Sequence, residues 1–475
     1  MTAPAPSVGP PGGPDDVVAA RRRAVSGFTL YDVANSAFVT TVVTAVGGPY
    51  LTALAEAAAG SDDRLAVLWL NPRAGSVFAY AVSLSVMLQV LALPLLGALA
   101  DRPAAKRRVL VASTWTGSLA TLVLAAAPGP LVGLGAFVVA NVAFGAAILV
   151  YNAHLADVAE PGDRHRVSAR GFAFGYAGGA FVLALSLVLL AAAEPLGLGR
   201  ESAVRLAIAG SGLWWLLIGL VAVRRLDAAR LLPGAPDPDA WHEPLSAEVR
   251  GSLRQLRGSF TALRRLPGTL RFLVAFLLFN DAIQAVVALS ALVLTHELFV
   301  AQGRDAEDAT PFLLQLILLI QVVAIAGAAL CGRLAARLGG KPVLLGTLVL
   351  WIGVVLYAVL ALENQAQAYV MGVVIALVLG GSQSVARSMF SSMVPDARQS
   401  SFFGFYELAE RGTAWVGTLV FAVVLDITGS YRGALLSLLA LFVSGALLLA
   451  GTDTDAAVEA AQTADADALA ARDAG

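Results

Sequence analysis

Hydrophobic residues fall along this chain in long blocks, not at alternating or amphipathic spacing. Twelve apolar runs, at about 28–53, 74–100, 109–127, 130–152, 170–193, 204–223, 270–296, 311–334, 343–362, 367–390, 402–426 and 432–450, are separated by short polar segments. The hydrocarbon core of a bilayer, about 30 Å thick, takes roughly 20 apolar residues in a helix rising about 1.5 Å per residue. The pattern therefore predicts an all-α membrane protein with twelve transmembrane helices. The first run is followed by Ala53-Leu54-Ala55, which looks like a leader-peptide cleavage site. Its length and the presence of Asp32 and Asn35 within it speak for a retained span.

The longest polar interruption, residues 224–269, comes after the sixth run and divides the chain into six spans and six spans. Within it Leu245, Val249, Leu253, Leu256, Phe260, Leu263 and Leu266 recur at helical spacing. Arg250, Arg254, Arg257, Arg264 and Arg265 fill the other faces, and Ser246 can cap the start. The plain reading is a cytoplasmic helix lying on the membrane surface between two halves; a regulatory, lipid-sensing helix is the alternative. The resulting organisation is a disordered N-terminus (1–25), a first half (26–223), a basic linker (224–269), a second half (270–450) and an acidic tail (451–475).

Charge then orients the chain. With the N-terminus inside, most of the 32 Lys and Arg residues collect on the cytoplasmic side. Only Arg64, Arg73, Arg200, Arg205, Arg304 and Arg432 fall outside, and Arg411 lies within a span. Both termini are expected in the cytoplasm. Lysine occurs only at 106 and 341 in a chain rich in Ala, Val, Leu and Gly, the composition of a high-GC bacterial genome, so a bacterial inner membrane is the expected location.

Composition excludes most other classes. The chain of 475 residues is 58% hydrophobic and 14% charged, with a mean hydropathy of +0.77, far from the soluble range. A lone cysteine, Cys331, rules out an internal disulfide framework, and the histidines at 154, 165, 242 and 296 have no metal-site spacing. Gly340-Lys341 is followed by proline and lacks the rest of a phosphate-binding loop, and no repeated channel filter is present. Nothing in the sequence asks for a cofactor, a metal, nucleic acid or an enzymatic constellation.

An internal repeat sharpens the picture. Gly97, Arg102 and Lys106 after the second run coincide at one constant offset with Gly332, Arg337 and Lys341 after the eighth. A weaker echo pairs Asp32 and Asn35 in the first run with Asp281 and Gln284 in the seventh. Two similar six-helix halves are the layout of secondary transporters, with a site near the midplane between them. The loop Gly97, Asp101, Arg102, Lys106, Arg107 resembles the cytoplasmic signature of the major facilitator superfamily, although Pro103-Ala104 departs from its usual turn and the second copy has Ala336 in place of the acid. That resemblance implies the twelve-helix major facilitator fold, with these charges holding the cytoplasmic side closed.

Three stretches are similar to the vacuole-effluxer branch of that superfamily. They are Tyr31-Asp32-Val-Ala-Asn35-Ser36-Ala37-Phe38, Tyr151-Asn152 through Asp157, and Gly380-Gly381 through Arg387-Ser388 continuing to Phe402-Phe403-Gly404-Phe405-Tyr406. Ala156, Glu407 and Glu410 depart from the branch pattern. The resemblance covers about 26–450 and implies export of amino acids, the activity of its eukaryotic members.

Ionisable groups in hydrocarbon cost at least about 2.5–3.5 kcal/mol each, so each needs a reason. Asp32, Asn35, Asn280, Asp281, Gln284, Tyr406, Glu407, Glu410 and Arg411 are the candidates to bind substrate or carry protons. Glu407 and Arg411, four apart, can instead pair on one helix face. Asp32 can instead cap a helix end or lock to Arg387, which joins Gly97, Asp101, Arg102, Lys106 and Arg107 as a cytoplasmic gate residue. Glycines in spans 5 and 11 read as packing positions. The expectation is a monomeric secondary transporter that exports a small polar solute, an amino acid, by proton-coupled alternating access. A drug or lipid exporter and a non-transporting receptor remain the alternatives.

Overall fold

The computed structural model describes residues 14–67, 70–100, 103–159, 164–232, 250–251, 254, 257–258, 260–261, 263–395, 406 and 415–473. Among these the secondary structure is helical, apart from two isolated bridges in the loop after the first span. Eleven helices are long and apolar enough to cross a membrane, and the shorter helix Val416–Thr428 occupies the place of the remaining span. Hydrocarbon offers no hydrogen bonds, so a chain of this composition satisfies its backbone within helices.

The spans are Pro14–Ala58, in three segments, then Val77–Ala100, Pro103–Ala125, Pro130–Ala153, Arg164–Ala193 and Arg200–Leu226. The second half holds Pro267–Leu298, Ala309–Leu338, Gly340–Leu360, Gln365–Ser392, Val416–Thr428 and Tyr431–Ala450, the last interrupted at Leu438. Packing repeats between the halves. Span 1 packs on spans 5 and 6, as span 7 does on 11 and 12; span 4 packs on 2 and 3, as span 10 does on 8 and 9. Contacts between halves obey the same twofold relation: span 2 meets 11, span 5 meets 8, and span 1 meets 7.

Span 1 is not a continuous α-helix. Phe38–Val46 is wound as a π-helix, and the N–H of Gly47 closes its last turn on the carbonyl of Val42. Pro49, two residues on, has no N–H to donate and its ring crowds the carbonyl four residues earlier. Widening the preceding turns accommodates both. This stretch lies against spans 7 and 8, on the boundary between the halves.

Three segments differ from the sequence expectation. Residues 14–25, placed in the disordered N-terminus, begin the first helix: Pro14 suits its first turn, Asp15 and Asp16 complement its positive end, and Ala20 and Ala24 are buried. The acidic tail forms a helix, Thr454–Asp473, in which Ala457 and Ala461 pack inward while Asp455 and Glu459 are exposed; Ala457 meets Gly268 at the start of span 7. In the linker, Leu263 and Leu266 are buried, whereas Leu245, Ser246, Val249, Leu253 and Leu256 lie outside the described residues.

Close helix approach depends on glycine at few positions. A Cβ on Gly327 of span 8 would sit 2.6 Å from the Cα and carbonyl of Leu377 in span 10, backbone that cannot move aside cheaply. A Cβ on Gly346 would meet nothing within 4 Å. Gly327→Ala is therefore expected to lower thermal stability in detergent by about 1–3 kcal/mol through overpacking, while Gly346→Ala leaves the unfolding midpoint in place; tryptophan fluorescence on heating compares the two.

Candidate functional site

Asp32 is held on span 1 at a point where three helices converge. Gly27, one and a half turns before it, lies against the backbone of Leu226 at the end of span 6. The Tyr151 hydroxyl, from span 4, donates to Asp32 Oδ2 at 2.8 Å. Tyr151 itself is stacked on Phe28 (4.3 Å between ring centres) and lies 5.3 Å from the ring of Tyr31, whose hydroxyl shares a hydrogen bond with Thr114. On the other side, span 5 presents glycines to the polar stripe of span 1: Gly171 and Gly175 against Asp32, Gly175 also against Ser36, and Gly179 against Thr40. The span 5 glycines thus serve as packing positions that bring a backbone close to the acid. Tyr176, half-exposed on the same span, is near enough to feel the Asp32 charge.

Asp281 lies near the middle of the 32-residue span 7 and is 2% exposed. Its Oδ2 accepts a hydrogen bond of 2.8 Å from the backbone N–H of Gly417, in the first turn of the helix Val416–Thr428. A carboxylate at a helix N-terminus takes an otherwise unpaired donor and meets the positive end of the helix dipole. Sequence reasoning left Asp281 without a local partner because the partner is a backbone group 136 residues away. Among the described residues its Oδ1 has none, and neither do Asn280 Oδ1, Asn35 Nδ2 and Thr41 Oγ1, all buried on spans 7 and 1. Each unmade bond of this kind costs about 1–3 kcal/mol.

The remaining candidates fall out as follows. Gln284 is half-buried one turn beyond Asp281. Tyr406 is 1% exposed and packed between Phe276 (4.5 Å) and Phe390 (4.7 Å). Glu407, Glu410 and Arg411 lie outside the described residues, as do Asp101 and Arg102; Gly97 is within the span 2 helix. Arg387 is exposed near the end of span 10.

Lys106 and Arg107, read as gate residues, sit in the first turns of span 3, where each pairs with an acid of its own half. Lys106 Nζ is 2.8 Å from Asp157 Oδ2, beyond the end of span 4. Arg107 makes two bonds, of 2.7 and 3.0 Å, to the carboxylate of Asp227 beyond span 6. Beside them His154 is buried, its Nδ1 on the carbonyl of Val150 at 2.9 Å.

Further bonds on this terminal side, among the described residues, stay within one half: Arg225 with Ser26, Lys341 with the carbonyl of Thr452, Thr269 with the carbonyl of Met393. Bonds between halves cluster on the far side. Arg200 pairs with Asp308. The backbone N–H of Arg73 donates to Asp426 Oδ1 at 2.6 Å and its Nε to the Asp426 carbonyl at 2.9 Å, with Arg64 3.7 Å from the same carboxylate. The Tyr431 hydroxyl lies against Gly75. The far side is closed in this conformation.

Sequence reasoning also missed a matched pair of far-side arginines. Arg205 of span 6 donates to the carbonyls of Ala125 and Ala127 at the end of span 3, and Arg432 of span 12 donates to those of Val359 and Leu362 at the end of span 9. Their signal was present as two of the few arginines outside, each at the start of a last span.

Twelve helices in two twofold-related halves, closed at one end across the halves and holding buried acids on spans 1 and 7, define a membrane transporter of the major facilitator fold and not an enzyme. Solved structures agree on the fold: the nucleoside transporter NupG (TM-score 0.62, 12% identity, 92% of this chain and 98% of that one) and a D-xylose-proton symporter (TM-score 0.60, 13% identity, 92% and 98%). The family described as vacuole effluxer Atg22 like matches residues 20–462, and the chain belongs to it. It is 27% identical to the MFS-type transporter YxiO of Bacillus subtilis over 92% of this chain and 96% of that protein. It is 24% identical to autophagy-related protein 22 of Pyricularia oryzae over 79% of this chain and 65% of that longer protein.

The imidazole of His154 lies just beyond the end of span 4, and burial pushes its pKa from 6.5 down to about 4. A histidine kept neutral in this way contributes its full stability above pH 6.5 and loses it as pH falls from there towards 4, because the unfolded chain takes up the proton first. Wild type should lose unfolding temperature between pH 7 and pH 4.5 more steeply than His154→Gln; parallel thermal scans across that window check it.

Proposed function

We propose that the chain is a secondary active transporter that exports a small zwitterionic solute, an amino acid, by alternating access coupled to protons. The observation that carries the reading is a carboxylate within the first span of each half: half-buried Asp32 with one donor from Tyr151, and buried Asp281 with one donor from Gly417 and, among the described residues, a second oxygen unpaired. Ionisable residues kept at such depth in spans are associated with substrate and proton pathways.

Unmet hydrogen-bonding capacity is present in both halves among the described residues. Span 7 offers acceptors, Asn280 Oδ1 and Asp281 Oδ1, which suit an ammonium group. Span 1 offers a donor, Asn35 Nδ2, which suits a carboxylate. Arg411, with Glu407 and Glu410, adds a carboxylate-binding guanidinium and further acids in this reading. Gln284 extends the polar stripe from Asp281. The basic terminal side is cytoplasmic by the positive-inside rule, and Gly97, Asp101, Arg102, Lys106, Arg107 and Arg387 belong to the gate on that side. The resting place is a bacterial inner membrane, and a monomer suffices for the cycle.

Purified protein in liposomes loaded with amino acids, peptides and sugars tests this by mass spectrometry of what leaves, with and without an imposed pH gradient. Gradient-driven loss of amino acids is expected. Asp281→Asn and Asp32→Asn should each lower that flux at least about tenfold, equivalent to ~1.4 kcal/mol in the barrier. Unchanged flux and pH dependence in both variants would remove the acids from the cycle, and efflux of apolar compounds alone would favour a drug or lipid exporter.

A further inference from the structure

The far-side closure converges on one short helix. Val416–Thr428 is 13 residues long and is docked on the first half at both of its ends. At its C-terminal end Asp426 takes the Arg73 N–H and faces Arg64, its carbonyl takes Arg73 Nε, and a Cβ on Gly429 would sit 3.2 Å from the Arg73 guanidinium carbon. At its N-terminal end the carbonyl of Trp415 accepts from Ser83 Oγ of span 2 at 3.0 Å, and from Thr418 Oγ1 at the same distance. Next to that carbonyl, the N–H of Gly417 points to Asp281. A side chain at Gly417 would run into Ala285 and the Asp281 carbonyl, so the helix is seated directly on span 7 at the acid.

We infer that Asp281 is the positioning residue of the far-side closure: through Gly417 it sets where the helix Val416–Thr428 sits, and that helix presents Trp415 O to Ser83 and Asp426 to Arg73. The inference rests on the reading of Asp281 as a site residue and deepens it. One oxygen of Asp281 holds the strut, and the other, unpaired and buried, is left for a cation. A cation that draws the carboxylate toward itself therefore competes with Gly417 for it, and binding at the centre and closure at the far end become linked quantities, each biasing the other equally. The bond network explains how a group in the middle of span 7 reaches an ion pair two to three turns away without a chain of side chains: the intervening helix is rigid.

Substitution at 281 separates position from charge. An asparagine at 281 keeps an oxygen for the Gly417 N–H and loses the charge; an alanine loses both. The readout is the rate at which a maleimide modifies Val77→Cys, 3% exposed beneath the closure, in a Cys331→Ser background, on full-length protein in nanodiscs with no substrate present. Asp281→Ala is expected to speed labelling about tenfold, the factor equivalent to ~1.4 kcal/mol. Ser83→Ala and Asp426→Asn should speed it in the same direction. Asp281→Asn should stay near wild type in labelling even where it fails in transport.

Labelling of Asp281→Ala at the wild-type rate, with Ser83→Ala raised, would overturn the inference; so would equal rises in Asp281→Ala and Asp281→Asn, since charge would then be the cause. Should the alanine variant fail to elute as a single species, Asp281→Ser, whose hydroxyl is too short to reach the Gly417 N–H, is read by the same criteria. The transport assay fails independently: intact flux in Asp281→Asn would remove the coupling role and leave the positioning role standing.

Discussion

A backbone polar group in the membrane-spanning part of this protein has to find its partner inside the protein, because the surrounding hydrocarbon offers none. That single constraint shapes the helices, the breaks in them and the contacts between halves. Backbone groups are met within helices. Where the helix Val416–Thr428 begins, its first-turn Gly417 N–H is met by a side chain from another span, Asp281, and the Trp415 carbonyl, already bonded to the Leu419 N–H, also accepts from Ser83. Where a turn is widened ahead of Pro49, the π segment keeps its own bonds and Gly47 supplies the last of them. The interruptions of spans 1 and 11 both lie where the halves meet, so the places that break the helical rule are also the places that must move.

The same constraint separates the two sides of the molecule. On the terminal side Lys106 and Arg107 are satisfied within the first half, by Asp157 and Asp227, and Lys341 within the second by the Thr452 carbonyl. On the far side Arg73 and Arg200 are satisfied across the halves. A charge paired within its own half costs nothing when the halves rock, whereas one paired across them must be released or replaced. The far-side pairs are therefore the ones whose strength enters the balance between conformations, and they lie in a chain segment with few arginines to spare.

The twofold relation is carried more by packing than by chemistry. Span 1 on 6 and span 7 on 12, and Arg205 on span 3 and Arg432 on span 9, repeat. The acids do not. Asp32 takes a tyrosine hydroxyl and Asp281 a backbone N–H. Two halves with one scaffold have thus been given different partners at matching positions, which lets one acid answer to a side chain and the other to a helix.

The membrane fold and the division into halves were legible in the sequence, and Asp32 and Asp281 stood out there as candidates, because apolar runs and intramembrane acids are costly patterns that only a few structures repay. The family also followed from short local runs around Asp32, Tyr151 and Gly381. What sequence did not show was partnership. Tyr151 reaches Asp32 over 119 positions, Gly417 reaches Asp281 over 136, and Arg73 reaches Asp426 over 353, distances at which no periodicity or spacing carries information. The inner signature residues Lys106 and Arg107 looked like a lock between halves and are bound within one, since the acids that claim them follow spans 4 and 6 and only folding brings those ends together. The elements of this transporter are set by local hydrophobicity. Which side is closed, and by which bonds, is set by long-range geometry that only the packed structure decides.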